Sequence, residues 1–192
     1  MGMSIEKKVT YFEKIGEENT DSCLVAAKKR AEELKIRDIV VASTRGSTGL
    51  KAAEFFKEYN LIVVAHSTGS REPGKQEMPD ETQKKIISAG GKVLITGHAF
   101  AGVSRAINRK FNTLGPAELV ANVLRLFGQG MKVVVECTYM AADAGMIPID
   151  KDIISIAGSG RGADTAVVIK PAHLNDMFNL YIKEIITKPM SK

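Results

Sequence analysis

Short apolar runs alternate along nearly the whole chain with longer stretches whose apolar residues recur every three or four positions, and this alternation limits the fold more than any other feature. A run of four to six apolar residues bounded by turn residues suits a strand covered on both faces. The amphipathic stretches between such runs suit the helices that cover them. The runs fall at residues 39–42, 61–65, 92–96, 133–138 and 153–157, with two more at 166–169 and 180–186. Helices are expected at about 21–35, 49–59, 80–90, 99–109 and 116–127. Thr20 is the expected N-cap of the first, whose apolar face carries Cys23, Leu24, Ala27, Ala31 and Leu34. Pro79, Asp80 and Glu81 open the third, with proline and two acids suited to a first turn. The pattern predicts a three-layer α/β/α fold on a mostly parallel, doubly wound sheet, closed by antiparallel strands at one edge. With 192 residues and neither a repeat nor a linker, one domain over 1–192 is expected.

Composition excludes several classes of function. The chain has 27 Lys and Arg against 22 Asp and Glu, a net charge of +5, but the basic residues lie along expected helices. No aromatic residues interleave with them as a base-stacking surface requires, so they read as solvated helix faces and no nucleic-acid partner is expected. The apolar runs are too short to cross a bilayer, so no membrane partner is expected either. Glu6, Lys7 and Lys8 interrupt the N-terminal stretch, which has no apolar core of a signal peptide, and a cytoplasmic location is expected. Cys23 and Cys137 have neither metal nor redox spacing and read as small apolar residues.

In open α/β sheets ligands bind beyond the carboxyl ends of the strands, where the direction of connection reverses. Five loops qualify, beginning at Ser43, His66, Thr96, Thr138 and Gly158. The first, Ser43, Thr44, Arg45, Gly46, Ser47 and Thr48, sets hydroxyls, backbone N–H groups and a guanidinium at a helix start, which favours phosphate. It also reads as a plain strand-to-helix turn capped by Ser47 or Thr48. The last, Gly158, Ser159, Gly160 and Arg161, is a second backbone-rich concavity, or a glycine-rich hairpin. Thr96, Gly97 and His98 precede a helix, where His98 can donate to a ligand or simply cap. Glu136 interrupts an apolar strand; a buried carboxylate needs a cationic partner, a ligand hydroxyl or a metal, with Asp143 and Asp164 as companions to consider. No metal-ligand spacing is present, so no metal site is expected. Nor does any nucleophile motif appear, and no catalytic residue can be assigned.

The Ser43–Thr48 loop, together with the Gly-rich loop that feeds Thr165, Ala166, Val167 and Val168, resembles the carboxy-terminal domain of pyruvate kinase. There a Thr/Ser-Gly-Arg-Ser loop and a late Gly-rich loop clasp a sugar bisphosphate; here the order is Arg45, Gly46, Ser47, Thr48. Nearly the whole chain is similar to a family of stand-alone, mainly archaeal proteins of this fold. The likeness is carried by Tyr11-Phe12-Glu13, Glu18-Asn19-Thr20, Val41-Ala42-Ser43, Arg71-Glu72-Pro73-Gly74-Lys75, Ala141-Ala142-Asp143-Ala144-Gly145 and Arg161-Gly162-Ala163-Asp164-Thr165-Ala166. That resemblance implies bound flavin mononucleotide (FMN) and no assigned reaction. The phosphate would take the Ser43–Thr48 loop, the ribityl hydroxyls Thr96, His98 or Glu136, and the ring an apolar wall from Phe100 and Met140, with Thr138 nearby. Self-association is implied as well. Two functions follow as expectations: a flavoprotein with an oxidoreductase role, or a non-catalytic module sensing a sugar phosphate or nucleotide.

Overall fold

The structure, a computed structural model describing residue 2 and residues 4–191, contains seven strands and six α-helices among those residues. In chain order these are β1 (Thr10–Phe12), α1 (Thr20–Leu34), β2 (Asp38–Ala42), α2 (Ser47–Phe55), β3 (Asn60–Ala65), α3 (Asp80–Ser88), β4 (Lys92–Ile95), α4 (Val103–Phe111), α5 (Pro116–Leu124), α6 (Gln129–Asp143), β5 (Ile153–Ala157), β6 (Thr165–Lys170) and β7 (Tyr181–Pro189). The strands form one sheet in the order β1-β7-β6-β5-β2-β3-β4.

The period of two along each strand divides the core. On one face Ile39, Val41, Leu61, Val63, Ile154 and Ile156 pack with Cys23, Leu24 and Ala27 of α1, Ala52 of α2, Phe56 just beyond its end and Ile86 of α3. On the other, Val40, Ile62, Val64, Ile153 and Ala157 pack with Ala121 of α5 and with Met131, Val134, Val135 and Ala141 of α6. The three-layer α/β/α arrangement is therefore as expected.

The antiparallel pairings fall among the closing strands, as expected, and come from a single reversed strand. β5 and β7 both pair antiparallel with β6, while β2–β3, β3–β4, β2–β5 and β1–β7 are parallel. The reversed strand is thus interior, and the edge beyond it is β1, a three-residue strand beside β7.

The largest correction concerns residues 133–138, expected as a strand and observed in the middle of α6. Three consecutive valines favour a strand locally. Here the segment lies across the sheet and under α5, and a helix buried on nearly all sides is apolar on nearly all sides. Thr138 consequently begins no loop; its Oγ1 donates back to Val134 O at 2.7 Å. Gly130 allows α6 to start tightly against β6, since a Cβ there would lie 2.1 Å from Thr165 Oγ1. Two smaller differences are local. The helix expected from 99 begins at Val103, after a turn, and runs to Phe111. Thr20 lies inside α1 rather than capping it, and its hydroxyl donates to Glu17 O at 2.6 Å.

Candidate functional site

The chain leaves β2 toward β3 on one side and returns as β5 on the other, so the connection reverses between these two neighbours. At their carboxyl ends lies a cleft of about 660 Å³, a volume typical of small-molecule sites.

One wall is the turn from β2 into α2. Ser43 N–H donates to Val64 O at 2.9 Å, and Ser43 Oγ accepts from Gly49 N–H at 3.0 Å, which curls the loop back on itself. Gly46 occupies the N-cap position at φ +95°, where a Cβ would lie 2.2 Å from Thr82 Cγ2. Gly46 has no side chain to cap the helix and Ser43 Oγ takes only the Gly49 N–H, so the N–H groups of Ser47 and Thr48, which line the cleft, are left free of acceptors among the described residues.

The facing loop joins β5 to β6 and is therefore a glycine-rich hairpin, one of the two forms the sequence left open. Buried Asp164 holds it: Oδ2 accepts Ser159 N–H at 2.9 Å and Oδ1 accepts the Thr165 hydroxyl at 2.7 Å. Ala163 N–H donates to Thr20 Oγ1 at 3.1 Å, fastening the loop to the start of α1. Gly158, Gly160, Arg161 and Gly162 line the cleft, and Ser159 does not.

The floor belongs to α6, whose residues 129, 132, 133, 136, 137 and 140 present one helical stripe to the cleft. Lys132 and Glu136, one turn apart and both buried, are hydrogen-bonded to each other. Glu136 Oε1 accepts Phe100 N–H at 2.9 Å, and Oε2 lies 3.8 Å from His98 Nδ1, a distance too long for a hydrogen bond. Burial alone would push the Glu136 carboxyl up; the His98 imidazole, the Lys132 ammonium and the Phe100 N–H outweigh it and hold the group at about 2.

Two histidines meet beside this floor, with ring centroids 5.0 Å apart. His98 Nε2 lies 3.4 Å from Ser67 N–H and accepts from it, so its ring proton sits on Nδ1, toward Glu136. His66 Nδ1 faces Glu77 Oε1 at 2.7 Å, which leaves Nε2 to accept from the Thr44 hydroxyl at 3.3 Å. Arg71 Nε stands 3.1 Å from the other Glu77 oxygen.

Charge in the cleft is strongly one-sided. Arg45, Arg71, Arg105, Arg125, Lys132 and Arg161 line it, against the carboxylates of Glu17 and Glu136. Arg125 is held in place by Gln129 Oε1 and Asn122 Oδ1, each at 2.8 Å. Cys137 also lines the cleft, but burial pushes its thiol up to about 12, so it stays protonated.

Of the residues singled out from sequence, the structure brings Ser43, Thr44, Arg45, Ser47, Thr48, His98, Glu136, Met140, Gly158, Gly160 and Arg161 to the cleft. Gly46, Thr96, Gly97, Phe100, Thr138 and Ser159 are not among its lining residues. Phe100 turns its ring the other way, edge-on to Tyr139 at 6.0 Å. Asp143 and Asp164 are not companions of Glu136: Asp143 bonds His173 and the Leu174 N–H, and Asp164 braces the hairpin. Lys132, Arg71, Arg105 and Arg125 were not among the expected site residues, although Arg71 lies in one of the segments that carry the family resemblance. Only Lys132 carried a physical signal, four residues before a buried glutamate. Among the described residues there is no group of three or more His, Cys, Asp or Glu arranged to hold a metal ion, and no helix is long and apolar enough to cross a membrane.

Comparison with solved structures finds pyruvate kinase from Cryptosporidium parvum in complex with ADP, at 14% identity and a TM-score of 0.42, over 79% of this chain and 23% of that one. A second structure of a Cryptosporidium parvum pyruvate kinase matches at 14% identity and a TM-score of 0.40, over 77% of this chain and 22% of the other. O-ureido-L-serine synthase matches at 18% identity and a TM-score of 0.31, over 65% and 47% of the two chains. This chain thus spans less than a quarter of the length of the pyruvate kinases it matches. The family model described as pyruvate kinase, alpha/beta domain, matches residues 21–169, from the start of α1 to the end of β6, and the chain belongs to that family.

Proposed function

We propose that the cleft binds a phosphate-bearing small molecule, with the phosphate on the uncapped start of α2 and FMN as the ligand. The observation that carries this reading is the charge of the site. Six cationic side chains meet two carboxylates around a helix N-terminus, and one of those carboxylates is already paired with Lys132. Arg45 and Arg161 approach from the two loops as counter-charges, while Thr44, Ser47 and Thr48 supply hydroxyls. The ring of a bound flavin would lie on the aliphatic surface of Val64, Val133 and Met140 rather than on Phe100. A flavin held there supplies two-electron and one-electron redox chemistry, which makes an oxidoreductase role part of this reading.

The test is a titration of the purified protein with FMN, read by its visible absorption and flavin fluorescence and repeated with riboflavin, which lacks the phosphate. Saturable binding of FMN at one per chain, with riboflavin at least tenfold weaker, is the expected result. No uptake of either compound defeats the flavin assignment.

A second reading is supported by the same charge count. A single phosphate brings two negative charges, fewer than the cations that line the cleft, so an effector module for a more highly charged phosphometabolite also suits it. Stabilisation by sugar phosphates or nucleotides in a thermal-shift panel, without FMN binding, would favour that alternative.

A further inference from the structure

We infer that the cleft is a phosphoryl-transfer site, in which Thr44 is the nucleophile, His66 its general base and Glu77 the residue that positions His66. The inference rests on the reading of the cleft as a phosphate site, not on FMN as its occupant, and adds that the phosphate ester held there is a substrate.

Three observations carry it. First, Glu77 Oε1, His66 Nδ1, His66 Nε2 and Thr44 Oγ1 form a continuous line, with gaps of 2.7 Å and 3.3 Å on the two sides of the ring. A hydroxyl within reach of an imidazole that is itself oriented by a carboxylate is the signature of an activated nucleophile, and such contacts are looser before substrate arrives. Second, Thr44 stands in the turn from a parallel strand into a helix whose uncapped N–H groups lie three and four residues further on, which puts stabilising dipoles beside the nucleophile. Third, Glu77 is nearly buried, although its neighbours Lys75 and Gln76 lie on an open loop. Among the described residues its ionic contacts are with His66 and Arg71, and its Oε2 has no aligned hydrogen-bond donor there. The neighbouring loop hydroxyl is differently engaged: Ser43 Oγ accepts from Gly49 N–H.

The step balances without a metal or an oxidant. Thr44 Oγ attacks the phosphorus of a phosphate monoester, its proton passes to His66 Nε2, and Glu77 faces the imidazolium that results. The bond from phosphorus to the ester oxygen breaks on the side opposite Thr44, that oxygen takes a proton from solvent as the alcohol leaves, and His66 keeps the Thr44 proton. Water then attacks phosphothreonine 44 from the side opposite Oγ and gives its proton to solvent, the bond from phosphorus to Thr44 Oγ breaks, Oγ takes its proton back from His66, and inorganic phosphate is released. Arg45, next in sequence, offsets charge on the phosphoryl oxygens.

Two probes test this on the full chain. A fluorophosphonate reports an activated hydroxyl by forming an O–P bond with loss of fluoride. Peptide mapping should place it on Thr44 and not on Ser43, Ser47 or Thr48. p-Nitrophenyl phosphate reports turnover by nitrophenolate release, and acid quenching should trap phosphothreonine 44. His66→Ala should slow both reactions roughly 10²-fold. Glu77→Gln should slow them while Glu77→Asp restores part of the rate, with all three variants checked for cooperative melting. Labelling that is absent, falls on another hydroxyl, or survives His66→Ala overturns the inference. If inorganic phosphate still binds in the same preparation, only the catalytic inference has failed. If phosphate binding is also absent, the reading of the cleft has failed with it.

Discussion

The two sides of the cleft handle charge in opposite ways. On the α6 floor, Lys132 and Glu136 are both buried, hydrogen-bonded to each other and backed by His98 and the Phe100 N–H. On the loop walls, Arg45 and Arg161 are exposed and make no ion pair among the described residues. A buried charge must be matched inside the protein, because water cannot reach it. An exposed guanidinium is already hydrated and can stay uncommitted until an anion arrives. The floor is therefore a stability element that happens to line a cleft, while the loops are where ligand charge can be met.

Breaking the floor should give the largest effect. Glu136→Ala strands the Lys132 ammonium without a counter-ion, and a loss of about 3–5 kcal/mol in urea unfolding is expected. The double variant Lys132→Met with Glu136→Leu should recover most of that loss. If the single variant costs under about 1 kcal/mol, the floor is not the buried pair described here.

Acid should reach the same element. The Glu136 carboxyl ordinarily titrates near 4.5 and is held at about 2 in the folded chain. A depressed carboxyl stabilises the fold above its unfolded value, and the contribution disappears as pH falls through the folded one. Between about pH 5 and pH 2 the wild type should lose up to roughly 3 kcal/mol more than Glu136→Gln does. Parallel stability curves for the two proteins would contradict the assignment.

On the loop side, backbone matters more than charge for stability. Gly46→Ala puts a Cβ against Thr82 at a φ of +95°, and a cost of about 1–3 kcal/mol is expected in thermal unfolding. Adding Thr82→Ala should relieve the clash but leave the φ penalty.

The smallest stability effects belong to the arginines. Arg45→Ala and Arg161→Ala should each change stability by under about 0.5 kcal/mol. Each should nevertheless weaken a phosphate-bearing ligand roughly tenfold, measured by calorimetry at fixed salt. A large stability loss, or no effect on affinity, would erase the contrast between floor and loops.

Much of the site could be read in the sequence because its signals are local. Arg45-Gly46-Ser47-Thr48 after an apolar run marks a strand-to-helix turn by composition alone, and Gly158 to Gly162 marks a second turn in the same way. Glu136 stood out as a charge in an apolar stretch, and its burial with a cationic partner follows from the cost of leaving it alone. Arg71, Arg105 and Arg125 gave no such signal. They sit in a long loop, in α4 and in the turn after α5, and each reads as an ordinary surface cation until the chain is folded. The Glu77–His66–Thr44 line was hidden for the same reason: its members lie on two separate loops that only the pairing of β2 with β3 brings together.

Periodicity and turn chemistry by themselves determined the layered α/β class, most element positions and the two glycine loops, because those depend on residues within about one turn of each other. Tertiary structure decided the rest. Val133, Val134 and Val135 favour a strand in isolation, but the space over β2 and β5 admits a helix, and burial there outweighs local propensity. The reversal of β6 follows from a tight hairpin after β5, and the meeting of six cations follows from the order of the strands. Each of these outcomes depends on contacts between distant segments, whose free energy is set only when the whole sheet has formed.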